Sequence, residues 1–496
     1  MNLNKIKNFL KDKTNLTIVL IILFGILVRI YYLIVTYAQP LWWDEAEYLL
    51  MAKYFATGIR SIDLLASRPL LLPIILAFFM KIGLNYEIIF RLIEIVISSL
   101  GLVFIYLSTK ELFNKEVGIV STLLLSVFYL NLFYTERILL DSIAPTFWVI
   151  SIYFFTKGYI NKKDNRKFYL SAFFGSIGIM FYNQTMGIFI LYLIFLLISE
   201  RLNLFKEKRF YIFGLIAIIT FIPNFILNQI LYKNPIEFVN TGLSVGNFST
   251  ANYSQNILIY LKYLPFYLGN LLLAIFIISL VILVIKFIIG IDLIIKNPNN
   301  ETKKELFIFL WLLISFLVII KIVGHFEDRY IMPTFIPLFI ISSLGIYKIK
   351  EQIIKPSNRS VIYAVIILLL LVISFTQLKK AEDIIKPKAE SFKELKEAGI
   401  WIKENSNSED KILTSNTPIL LYYSERKIIS FPEKEEELIS LIQKEKPKYI
   451  LISVFTGNPN YINNVLKYNY LKPMKVYQSG NALILAVFEI EYNKLQ

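Results

Sequence analysis

Long apolar runs alternate with short charged ones along the chain, and the apolar runs have the length of membrane crossings. Residues 16–37, 87–108, 210–229 and 360–375 are almost unbroken apolar stretches, and about 20 residues at 1.5 Å each span a hydrocarbon core of roughly 30 Å. A series of such runs predicts an all-α polytopic membrane protein of about eleven transmembrane helices. The first run has no small-residue cleavage site behind it, so it reads as a permanent span and not a removable signal. Residues 69–84 differ. They are short, contain Pro69 and Pro73 and carry Lys81, which predicts a helix in the outer leaflet and not a crossing.

After residue 377 the pattern changes from apolar to charged and begins to alternate between helical and strand periods. Residues 391–404 have helical spacing at Phe392, Leu395, Ile400 and Trp401; 411–414 and 427–430 read as strands, 434–444 as a helix, 449–454 as a buried strand and 483–490 as a closing strand. The expected organisation is therefore a transmembrane domain over 1–377, with a first external loop at 38–85 holding interfacial helices, and a soluble α/β domain over 378–496. That domain has no glycine-rich nucleotide loop.

Charge sets the expected topology. Lysines and arginines crowd the N-terminus and the loops 110–116, 157–167, 200–209, 286–305 and 348–359, and are sparse in 38–85, 135–141, 231–256 and 324–329. Positive loops stay in the cytoplasm, which puts the N-terminus inside, the second set of loops outside and the C-terminal domain outside the cytoplasm. The formal charge of +15 is explained by this asymmetry, and a nucleic-acid partner is not expected. The chain has no cysteine and a single histidine. Disulfides, iron–sulfur clusters and thiolate zinc are excluded, no cofactor is expected, and a divalent metal would have to rest mainly on carboxylates.

Four polar constellations fall on the inferred outer side. Asp44 and Glu45 follow Trp42 and Trp43 just after the first span. They read either as the acidic first turn of an interfacial helix with Asp44 as N-cap, or as a carboxylate base whose partial desolvation raises its basicity. Arg68 precedes Pro69 in the first loop. In Glu136-Arg137-Ile-Leu-Leu-Asp141 a helix would put Arg137 and Asp141 on one face, as a structural ion pair or as part of a site. His325-Phe-Glu327-Asp328-Arg329-Tyr330 opens a late span, where an arginine can grip phosphate through two parallel hydrogen bonds or merely anchor the interface.

Taken in order, these motifs resemble the glycosyltransferase 39 superfamily of GT-C membrane enzymes, which includes dolichyl-phosphate-mannose protein mannosyltransferases and bacterial aminoarabinose transferases. The family's first-loop Asp-Glu matches Asp44-Glu45, its basic residue before prolines matches Arg68-Pro69, its Arg-x-x-x-Asp matches Arg137 to Asp141, and its Arg-Tyr-x-x-Pro matches Arg329-Tyr330-Ile-Met-Pro333. The likeness runs over residues 16–347. The chain departs at Tyr182-Asn183-Gln184-Thr185, where many relatives have a lysine, and Leu70 replaces the usual second proline.

The resemblance implies transfer of a sugar from a polyprenyl- or dolichyl-phosphate donor to a glycan, lipid or protein acceptor at the outer face of the cell membrane, with inversion. Asp44, Glu45 and Asp141 would be catalytic, Arg68, Arg137, Arg329 and Tyr330 would bind the donor phosphate, and Glu136 and His325 would contact substrate. A transporter or flippase of lipid-linked sugars is the alternative. It would carry mid-membrane charges and internal repeats, and the mid-span regions are almost free of charge.

Overall fold

The structure, a computed structural model, describes residues 11–59, 68–161, 164–239, 253–290, 300–322, 326–480 and 482–495. His325 lies outside the described residues, as do Asn247 and Asn252, the first residues of two Asn-x-Ser tripeptides. The chain divides into two compact units. One comprises Met1–Thr36, Leu65–Leu72 and Tyr86–Ile385; the other comprises Tyr37–Leu64, Pro73–Asn85 and Lys386–Gln496.

The first unit is helical: α1 (Lys13–Val35), α4 (Glu87–Leu112), α5 (Lys115–Val127), α6 (Tyr129–Thr135), α7 (Ile143–Phe155), α8 (Asn165–Phe181), α9 (Gly187–Glu200), α10 (Lys208–Tyr232), α11 (Tyr253–Leu268), α12 (Asn270–Ile289), α13 (Asn300–Ile322), α14 (Met332–Ile353) and α15 (Arg359–Lys388). Asp12 caps α1 by accepting from the Thr14 amide at 2.9 Å, and Asn114 caps α5 by accepting from Val117 at 3.0 Å. Small residues let helices approach: a Cβ on Gly25 would lie 2.7 Å from Leu102 of α4 and 2.9 Å from Ser126 of α5.

Among the described residues seven helical stretches are long and apolar enough to cross a membrane, and the bent pair α5–α6 makes an eighth. The protein is a multi-pass membrane protein. The eight fall short of the eleven expected partly because α7 and α8 have only 13 and 17 residues. The apolar stretch 69–84 contributes α3 (Leu71–Lys81), whose 11 residues cover about half a hydrocarbon core.

The second unit contains α2 (Trp43–Thr57), most of α3, α16 (Lys393–Glu404), α17 (Thr417–Ser424), α18 (Glu436–Glu445), the short α19 (Ile462–Val465) and a five-stranded sheet. Its strands are β1 (Lys411–Leu413), β2 (Lys427–Ile429), β3 (Tyr449–Ser453), β4 (Leu471–Ser479) and β5 (Ala482–Ile490), in the order β2-β1-β3-β5-β4. β1 runs parallel to β2 and β3, while β5 is antiparallel to both β3 and β4. β3 is buried along its whole length, as a central strand covered on both faces must be. Leu438 and Ile442 of α18, four apart, pack with Leu413, Ile450 and Ile452.

The anticipated strands and helices of this region are present, with three additions. β4 was not legible because it is an edge strand containing Pro473, exposed for most of its length. α17 and α19 are short. The buried stripe of α16 is Leu395, Ala398, Gly399 and Ile402, with Ile400 outside it. Gly399 is there because a Cβ would come within 2.6 Å of Tyr423 on α17.

Candidate active site

In the helical unit, charged side chains gather where helices break. The chain bends by 57° between α5 and α6, and α11 ends at Gly269 with φ 72°. Such breaks strip backbone groups of their helical partners in an apolar setting, where each must find another. Gln377 of α15 supplies both ends: its Oε1 accepts from the Tyr129 amide at 3.3 Å, and its Nε2 donates to the carbonyls of Tyr267 and Leu268, each at 3.1 Å.

Beyond the bend lies a buried polar cluster. Arg29 of α1 donates to Ser98 Oγ at 3.0 Å, to the Gly25 carbonyl at 2.9 Å and to Asn131 Oδ1 at 2.5 Å. Ser98 in turn bonds Thr135 at 3.0 Å. Arg91 of α4 donates to the Thr36 carbonyl at 3.3 Å and pairs with Glu87 at 3.7 Å, while Glu94 accepts from Ser142 at 2.9 Å. Glu136, at the end of α6, is buried and feels the charges of Arg29, Arg91 and Arg137. Removing charges from water is expensive unless they are paired and hydrogen-bonded; the three bonds of Arg29, the ion pair of Arg91 and the bond to Glu94 supply part of that compensation.

The expected i, i+4 relation of Arg137 and Asp141 on one helical face is not present, because 136–142 forms turns between α6 and α7. Arg137 is buried with its guanidinium 5.9 Å from the Phe133 ring centre. Asp141, also buried, lies 3.9 Å from a guanidinium nitrogen of Arg329. Arg329 sits in the short 3-10 turn Asp328–Ile331, pairs with Glu327, and lies 5.4 Å over the Tyr330 ring. That turn is fixed from α11: Tyr260 donates to the Glu327 carbonyl at 3.0 Å and Tyr267 to the Asp328 carboxylate at 2.5 Å. Arg68 is half-buried in the bend before α3.

Asp44 and Glu45 belong to the other unit, in the first turn of α2. The helix starts at Trp43, so Asp44 is not the N-cap. Glu45 does the capping: its carboxylate accepts from the Trp42 amide at 2.7 Å, while Glu47 accepts from the Trp43 indole at 3.0 Å. Glu45 is fully buried and Asp44 half-exposed. Within this unit α2 is held by α17. The Tyr423 hydroxyl accepts from the Leu41 amide at 3.0 Å, and Lys53 pairs with Glu425 at 3.0 Å.

Sequence reasoning therefore singled out Asp141, Arg329 and Tyr330, which the fold brings together with Glu327, and missed Arg91 and Glu94. Their signal was present: ionisable residues inside an apolar run face a protein interior and mark function by default. Among the described residues no group of three or more His, Asp or Glu is placed to hold a metal ion.

This architecture is the GT-C fold of membrane glycosyltransferases. Residues 67–227 match the family described as dolichyl-phosphate-mannose-protein mannosyltransferase. The fold is similar to that of ArnT from Cupriavidus metallidurans bound to undecaprenyl phosphate, with a TM-score of 0.65 at 11% identity over 95% of this chain and 97% of that one. It is also similar to the archaeal oligosaccharyltransferase AglB from Archaeoglobus fulgidus in complex with an inhibitory peptide and a dolichol-phosphate, with a TM-score of 0.62 at 11% identity over 96% of this chain and 74% of that one. A search of curated protein sequences finds no match.

Proposed function

We propose that the protein transfers a hexosyl or pentosyl group from a polyprenyl- or dolichyl-phosphate carrier to an acceptor hydroxyl outside the cytoplasm, with inversion at the anomeric carbon. The observation that carries this reading is the contact of Arg329 with Asp141, which lies in the same 136–142 connection as buried Arg137. A guanidinium held in place by carboxylates can receive the charge of a phosphate leaving group, which needs no proton donor because it is already ionised. The fold likeness to proteins that bind undecaprenyl phosphate and dolichol-phosphate supports the donor class.

In this mechanism the acceptor oxygen attacks the anomeric carbon, the bond from that carbon to the phosphate oxygen breaks, and its electron pair leaves with the lipid phosphate. Asp44 takes the hydroxyl proton as attack proceeds, since a free hydroxyl is far too weak an acid to ionise first. Glu45 keeps α2 capped and so positions Asp44. Arg329, with Arg68 and Arg137, neutralises the departing phosphate, and Tyr330 backs the Arg329 guanidinium. Asp141 orients Arg329, and Glu136 balances the buried arginines.

The test is incubation of purified protein in lipid with labelled polyprenyl-phosphate mannose, glucose and arabinose-type donors. Release of lipid phosphate that falls by about 100- to 10,000-fold in Asp44→Asn is the expected result. Near-wild-type turnover by a folded Asp44→Asn protein removes Asp44 as the base. Donor translocation without bond cleavage replaces the transferase reading with transport.

A further inference from the structure

In open sheets with parallel strands, ligands bind outside the carboxyl ends of two neighbouring strands whose following connections leave in opposite directions. The α/β unit has one such place. From β1 the chain passes through α17 to β2 on one side; from β3 it passes to β4 and β5 on the other, and β1 and β3 are neighbours. The loops after these two strands differ from their surroundings. Lysine and glutamate are frequent through this unit, yet residues 412–424 and 449–466 contain no charged residue at all.

Uncharged polar groups fill that place. Asn416 donates to Ser453 at 2.9 Å, its Oδ1 accepts from the Thr456 hydroxyl at 3.1 Å, and its backbone amide donates to Thr414 at 3.2 Å. These bonds tie the end of β1 to the end of β3. Asn458 donates to the Ser453 carbonyl at 2.6 Å. Its Oδ1 is buried and has no hydrogen-bond partner among the described residues. A buried amide oxygen in that state needs an external donor, from water or a ligand.

An aromatic pair stands beside this group. Phe455, in the same loop, meets Phe392 edge to face at 5.3 Å between ring centres. Phe392 holds φ 67°, the left-handed region that a bulky side chain adopts only against steric cost. The next residue toward β3, Val454, is 67% exposed.

We infer that the loops after β1 and β3 form a binding site for a neutral, hydroxyl-rich glycan. One sugar hydroxyl donates to Asn458 Oδ1 and another to the Thr456 hydroxyl oxygen, whose own proton is held by Asn416, uses that a purely apolar or purely anionic ligand cannot fill. The C–H face of a pyranose lies on the Phe455 ring, whose π face is negative. A phosphate or carboxylate ligand is disfavoured because neither loop offers a cation. For the same reason the site belongs to the acceptor and not to the phosphate-linked donor; the acceptor role rests on the transferase reading, whereas the binding does not.

The test uses the full chain in lipid nanodiscs, as wild type and as Asp44→Asn. Neutral oligosaccharides of glucose, mannose, galactose and N-acetylglucosamine are titrated while hydrogen exchange is followed in peptides covering residues 412–419 and 453–461. The expected result is saturable protection of both segments by at least one of these, equal in wild type and Asp44→Asn. Affinity should fall about tenfold in Asn458→Ala and in Phe455→Ala, with unchanged exchange in β3 and β5 showing that each variant is folded. Absence of protection across the panel, or protection that neither substitution weakens, overturns the site. Protection of the same peptides by polyprenyl-phosphate mannose alone overturns the acceptor assignment. Loss of donor turnover in the wild type with sugar binding intact sinks the transferase reading and leaves the site standing.

Discussion

The surroundings of the helix breaks and of the sheet bury different polar groups. The helical unit encloses Arg29, Arg91, Glu94, Glu136, Arg137 and Asp141, all charged types. Around its sheet the α/β unit encloses Thr414, Asn416, Ser424 and Ser453, all neutral; its buried charged types among the described residues are Glu45 and Glu47 of α2, and Arg426, bonded to Ser406 and to the Lys403 and Ser406 carbonyls. A neutral amide buried with its bonds made costs little, whereas a buried charge carries a desolvation penalty of several kcal/mol that only good partners offset. The helical unit bears that cost around Arg29 and Arg91, whereas the loops after β1 and β3 bury neutral groups alone.

The sharpest way to break this contrast is to remove a charge from the helical interior. Arg29→Met deletes three hydrogen bonds and leaves Glu136 with less compensating charge. A loss of about 3–5 kcal/mol is expected, since breaking a buried pair strands the partner, and thermal unfolding in lipid measures it. Unchanged stability would mean that the cluster is not what holds α1, α4 and α6 together.

Next in size is Arg329→Gln. Arg329 is partly exposed and keeps Glu327 and Asp141 as neighbours, so its loss should fall on rate and not on folding. About a hundredfold drop in turnover, equivalent to about 3 kcal/mol, is expected for one donor aimed at developing charge. A large drop in melting temperature with unaltered turnover would reverse its proposed role and make it a structural residue like Arg29.

How far the sequence foretold these two regions follows from the same physics. Apolar runs announce membrane helices because lipid tolerates little else, and short runs with β-branched residues marked β1, β2, β3 and β5. What stayed hidden depended on pairing across distance. Nothing local told that Asp141 would meet Arg329, 188 positions away by number, or that Asp44 would be an inner residue of a turn capped by Glu45. The helical i, i+4 rule misplaced Arg137 and Asp141 because the helix stops at Thr135. Arg91 and Glu94 were legible in principle, as charges within an apolar run. The switch point at β1 and β3 was not, because strand order is a tertiary fact.

Smaller effects are expected where α2 meets α17. Tyr423→Phe removes the acceptor of the Leu41 amide and should loosen the start of α2 by about 1 kcal/mol. Faster hydrogen exchange across residues 41–50, with exchange in β3 unchanged, is the predicted readout. If Asp44 is the base, turnover falls with it while the apparent affinity for donor stays the same. Unaltered exchange would show that α2 is held by its apolar face alone.

The smallest effect is tied to pH, and its sign can be worked out. Partial burial pushes the Glu425 carboxyl up, but Lys403 at 2.9 Å and Lys53 at 3.0 Å more than offset this and hold it below its ordinary 4.5. A carboxyl depressed in the folded state binds its proton more readily when unfolded. Its stabilisation is therefore fully present above about pH 4.5 and is lost as pH falls through the lower folded value. Both partners are well exposed, so water and salt screen the interaction, and about 0.2–1 kcal/mol is expected. Glu425→Gln should match the wild type in α2 exchange at the acid end of a titration and exchange faster at neutral pH. Raising ionic strength should shrink that gap, since salt weakens ion pairs between exposed side chains. A gap that persists in high salt would mean that Glu425 holds α2 otherwise than through its ion pairs with Lys53 and Lys403.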